Sequence, residues 1–97
     1  NNSELYYRNS VITLDNYIRY NWDTLSPLER AAGFVSLYEQ LLEGNGTITP
    51  NEYLNLIIWA MEREDNPLII NHLLRQMISI FWSLLNQEQR LEIVASL

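Results

Sequence analysis

Apolar residues recur along the chain at three- and four-residue intervals, the spacing that lines one face of a helix. The pattern predicts five helices. The first covers residues 14–25, with Leu14, Tyr17, Ile18, Trp22 and Leu25 on one side. The second opens at Pro27 and ends before Gly44. A polar stripe through Glu29, Gly33, Ser36, Gln40 and Glu43 is its only wet side, so burial is expected on more than one face. The third covers residues 50–64, with Tyr53, Leu54, Leu56, Ile57, Ile58, Ala60 and Met61 expected inside. The fourth covers residues 67–85. It is expected to bury Leu68, Ile69, Leu73, Leu74, Met77, Ile78, Phe81 and Leu85, and to wet His72, Arg75, Gln76, Ser79, Ser83 and Asn86. A fifth covers residues 87–96. Residues 4–12, ELYYRNSVI, show no clear period, and a short extended arm over residues 1–13 is one reading of them.

Helix boundaries carry their own chemistry. Ser26-Pro27-Leu28-Glu29 and Thr49-Pro50-Asn51-Glu52 share one design: a capping hydroxyl, a proline whose missing N–H is harmless in the first turn, and a glutamate that reaches back. Asn86 and Gln89 repeat it without the proline. Gly44-Asn45-Gly46 is a stop signal, because glycine enters the left-handed region cheaply. Asn66 before Pro67 is pushed away from helical angles and separates the third helix from the fourth. Gly33 costs up to about 1 kcal/mol in a helix interior, and a close helix crossing is one reason to keep it. The short connections make neighbours antiparallel. The expected fold is all-α, about five antiparallel helices in a short HEAT- or armadillo-like stack, forming a single domain over residues 1–97.

With 47% hydrophobic residues, the 97-residue chain has enough apolar material for one core and does not read as disordered. Its net charge is −6 and its six cations are all arginine, which argues against nucleic acid and anionic membranes. The most apolar run, residues 68–85, is broken by Asn71, His72, Arg75 and Gln76, so it reads as a buried helix rather than a membrane span. Without cysteine there are no disulfides and no thiolate metal sites. His72 is the single histidine, too few for a zinc site, and reads as a boundary residue. Glu39 with Glu43 and Glu62 with Asp65 read as solvated helix neighbours rather than a catalytic pair. The GNG turn lacks the lysine and hydroxyl of a phosphate loop. No residue reads as catalytic or metal-binding.

Tryptophan supplies the one anomaly. Trp59 lies on the polar side of its helix, and Trp82 flanks a polar stripe two turns from Arg75. Either both pack beneath a neighbouring helix of this chain, or they and Arg75 contact a partner or peptide, where tryptophan and arginine are enriched. Trp22 falls on an apolar face and reads as core.

LSPLERAAGFVSLYEQLLEG followed by ITPNEYLNLIIWAMEREDNPLIINHLLRQMISIFW resembles the C-terminal helical domain of the aminopeptidase N family of zinc metallopeptidases. The likeness rests on Leu28, Arg30 and Ala31 opening a helix, Leu37 and Leu41 before Gly44, and Pro50 with Leu54. It continues through Glu64-Asp65 and the helix bearing Ile70, Leu74 and Ile78, and it spans residues 14–97. The resemblance implies a non-catalytic domain that covers the active site and limits peptide access. Its partners would be the catalytic domain of the same polypeptide and the peptide. Zinc would belong to that other domain, with no cofactor in this chain. No functional residue of the family carries over, since its zinc-binding part has no counterpart here. The chain opens on Asn1 rather than methionine and is read as a fragment of a longer one. Cutting a helical stack exposes an apolar end, so the isolated fragment is expected to self-associate. The other reading is a stand-alone helical interaction module.

Overall fold

The computed structural model describes residues 13–44 and 48–96, and among them every regular element is helical. The α-helices are α1 (Leu14–Tyr20), α2 (Pro27–Glu43), α3 (Pro50–Met61), α4 (Pro67–Ser83) and α5 (Gln87–Ser96). A 3-10 turn, Trp22–Thr24, follows α1. The chain divides into two compact units, Asn1–Thr47 and Ile48–Leu97. The extended-arm reading, up to residue 12, and the turn after Gly44 lie outside the described residues.

In the first unit α1 packs on α2. The predicted first helix is shorter than expected. Asn21 leaves helical geometry at φ −111° and ψ 14°, its side-chain amide donates to the Tyr17 carbonyl at 3.0 Å, and the Thr24 hydroxyl donates to the Asn21 carbonyl at 2.9 Å. Polar side chains that bond nearby carbonyls compete with the helical ladder, and the chain tightens into a 3-10 turn. α2 starts and stops as read. Ser26 Oγ accepts from the Glu29 N–H at 3.2 Å, Glu29 Oε1 accepts from the Ser26 N–H at 2.8 Å, and Gly44 takes φ 72°. Its core is narrower than the two-sided burial expected: Phe34, Leu37 and Leu41 are buried, while Leu28, Val35 and Leu42 are exposed. Gly33 belongs to the helix crossing and not to a wet stripe. A Cβ there would stand 2.9 Å from Ile18 Cδ1.

In the second unit α3 and α4 form a hairpin. Thr49 and Glu52 make the second capping box, at 3.2 and 3.0 Å. α3 ends at Met61, short of Glu64, where the Arg63 and Glu64 N–H groups both turn back to the Ala60 carbonyl. Asn66 caps α4, its side chain accepting from the Leu68 N–H at 3.0 Å, and Glu64 Oε1 accepts from the Asn66 N–H at 3.1 Å. All three prolines occupy first-turn positions.

The inner faces of this hairpin differ from the spacing argument. Ile58 is exposed on α3. On α4 the buried row is Ile69, Leu73, Gln76 and Ile80, while Leu68 and Ile78 are exposed and Leu74, Met77 and Phe81 are half-buried. The physical reason lies across the hairpin. The Tyr53 hydroxyl donates to Gln76 Oε1 at 2.6 Å, and with that partner an amide can be buried where alone it would be costly. Glu64, read only as a helix end, is buried as well. α5 begins with the expected Asn86–Gln89 box, at 2.8 and 3.0 Å, and buries no side chain.

Candidate functional site

The second unit carries an apolar groove of about 740 Å³ between α3, α4 and α5. α3 contributes Leu54, Ile58 and Met61 to its wall. α4 contributes Met77, Ile78, Phe81 and Trp82, and α5 contributes Ile93 and Val94. Polar groups stand around these walls: Asn51 and Asn55 from α3, Glu62 just after it, and Gln89, Glu92 and Ser96 from α5. The two ionisable side chains among them are both glutamates. A concave, mainly apolar surface with a few polar groups at its edge is the usual form of a binding site.

Trp82 stands at the groove with most of its surface in water. Its ring meets Phe81 edge-on at 5.2 Å and 87°, and the Arg90 guanidinium lies 5.4 Å from its centroid. Trp59 is not part of the groove. It is half-buried elsewhere on α3, with the Arg63 guanidinium 4.1 Å above its ring and Arg63 Nη1 donating to the Trp59 carbonyl at 2.9 Å. Arg75 is exposed on α4 and does not line the groove. Of the three sequence candidates, Trp82 lines this groove and Trp59 and Arg75 do not.

A repeat explains how the groove arises. Trp22, Leu25, Ser26, Glu29 and Arg30 recur at the same spacing as Trp82, Leu85, Asn86, Gln89 and Arg90. The geometry repeats with them. Arg30 Nη1 donates to the Leu25 carbonyl at 2.7 Å and its guanidinium lies 5.2 Å from the Trp22 ring; Arg90 Nη1 donates to the Leu85 carbonyl at 2.6 Å. Each arginine therefore clamps a helix–helix corner by a charge-assisted bond and a cation–π contact. The surroundings differ. Ile18 and Trp22 are 1% and 8% exposed, whereas their counterparts Ile78 and Trp82 are 58% and 67% exposed. Gly33, which lets Ile18 approach α2, is replaced at the corresponding place by Ile93. A β-branched side chain fills the space that Gly33 leaves open. Ile78 and Ile93 both line the opening. Reading helices one at a time misses this; aligning the two corners would have exposed it.

His72 Nε2 lies 3.1 Å from Gln76 Nε2, the amide donating to the ring nitrogen. Among the described residues no group of three or more His, Cys, Asp or Glu is placed to hold a metal ion. No helix among the described residues is long and apolar enough to cross a membrane. Comparison with protein families, curated proteins and solved structures returned no match.

Proposed function

We propose that this chain is a non-catalytic helical domain of an aminopeptidase N-like zinc peptidase, covering the active site and limiting which peptides reach it. The supporting observation is the succession of capped helices: two proline–glutamate boxes open α2 and α3, with the left-handed Gly44 between them. This is the pattern on which the resemblance rests. In this reading the helices belong to a HEAT- or armadillo-like stack, and zinc belongs to the catalytic domain. The test is to purify the natural polypeptide, assay zinc-dependent aminopeptidase activity on peptides of graded length, and repeat the assay after deleting residues 14–97. Activity that loses its length preference on deletion supports the reading. A natural polypeptide without zinc-dependent peptidase activity removes it.

The second reading is a stand-alone interaction module. The groove and the exposed Trp82 favour it, since an aromatic side chain at an apolar cleft is a common anchor for a partner.

A further inference from the structure

We propose that the groove between α3, α4 and α5 binds an amphipathic helix of another polypeptide, one whose apolar row is flanked by lysine or arginine. The proposal holds whichever reading of the parent protein is right.

The first argument comes from the repeated corner. In the first unit the corner surface is buried, with Ile18 seated against the Gly33 backbone and Trp22 meeting Phe34 edge-on at 6.3 Å and 70°. In the second unit the equivalent surface, Ile78 and Trp82, is exposed, as is Val94, which corresponds to Phe34. The same framework thus buries these positions by helix packing in one place and leaves them uncovered in the other. A groove walled by three helices and about 740 Å³ in volume has room for several side chains of a helix lying along it.

Charge selects the occupant. Among the described residues, Glu62 and Glu92 are the ionisable groups lining the groove. Arg90 is held against the Trp82 ring and the Leu85 carbonyl, and Arg63 lies over Trp59 with its Nη1 3.8 Å from Glu62. An acidic rim around an apolar floor complements a helix with cationic flanks. It disfavours a second copy of this chain, which has net charge −6 and no lysine and would bring two acidic rims together.

The test titrates the full chain against a labelled synthetic helix of leucine and lysine at helical spacing, read by fluorescence anisotropy. A second peptide with glutamate in place of each lysine is measured alongside. The leucine–lysine helix should bind at least about tenfold more tightly, and the gap should narrow as salt rises. Ile58→Ser and Trp82→Ala, both at exposed positions, should each weaken binding about tenfold, with circular dichroism checking that helix content is kept. Glu62→Gln with Glu92→Gln should shrink the preference for lysine without altering the apolar walls. Leu28→Ser, exposed on α2, should change nothing. Equal binding of the two peptides would overturn the proposal, as would groove variants that bind like the parent. So would light scattering that shows a dimer abolished by Trp82→Ala, since the occupant would then be a second copy.

Discussion

Gly33 sets how closely α1 and α2 cross, because the position of its absent Cβ lies 2.9 Å from Ile18 Cδ1 and 3.4 Å from Ile18 Cγ1. Ile18 is fully buried and has little room to yield. Gly33→Val should destabilise the chain by about 1–3 kcal/mol through overpacking. Gly33→Ala should stay close to neutral, since alanine recovers up to about 1 kcal/mol of helix propensity against the smaller clash. Denaturant midpoints of the two variants check both. Tyr53 and Gln76 pose the opposite problem, a polar pair inside the core. Tyr53→Phe takes away the donor at 2.6 Å from a buried amide and should cost about 1–3 kcal/mol. Adding Gln76→Leu to Tyr53→Phe should recover part of that loss, because the acceptor and its desolvation cost disappear together. Arg30→Ala should destabilise the first unit by about 1–2 kcal/mol, and Arg30→Lys should not restore it, because an ammonium lacks the planar fork that reaches a carbonyl and a ring together.

Helix starts are the most legible elements in this chain, because their chemistry is local. Ser26 with Glu29, Thr49 with Glu52 and Asn86 with Gln89 all form the reciprocal bonds that their spacing implies. Helix ends are less legible. α1 stops at Tyr20 and α3 at Met61 because the Asn21 side chain and the Ala60 carbonyl offer alternative bonds that periodicity does not register. The buried row of α4 departs from apolar spacing for a related reason: the partner that permits Gln76 inside comes from a different helix. The boxes also carry a pH dependence. The Ser26 backbone N–H, and secondarily its hydroxyl, holds the Glu29 carboxyl below the usual carboxylate range, and Thr49 does the same for Glu52. A carboxyl depressed in the folded state stabilises at pH values above its unfolded pKa, and that contribution is lost as pH falls through the folded one. Thermal midpoints should therefore drop on acidification, and the combined Glu29→Gln and Glu52→Gln variant should flatten the profile. The start of α5 has the uncharged Gln89 and should not share the effect. Since α5 buries nothing, its amides should exchange with solvent faster than those of α3 and α4.

Across the molecule, the all-helical class follows from apolar spacing, but the groove does not. Ile58 and Ile78 sit at positions that spacing assigns to the core, and a one-dimensional pattern says nothing about whether another helix arrives to cover them. Ile93 stands where the first unit has its crossing glycine, a difference that becomes visible only when the two arginine-clamped corners are compared. Trp82 stands out in the sequence for its place beside a polar stripe, and in the structure it lines the groove. Trp59 is instead engaged by Arg63, just past the end of its helix. The proposed covering role requires a larger polypeptide. The size of the natural polypeptide therefore tests the account most directly, read by an antibody raised against this domain in extracts of the source cells. A band several times larger than a 97-residue chain, with an H-E-x-x-H helix among its upstream peptides, is the predicted result. A band at the size of this chain alone would contradict the peptidase account.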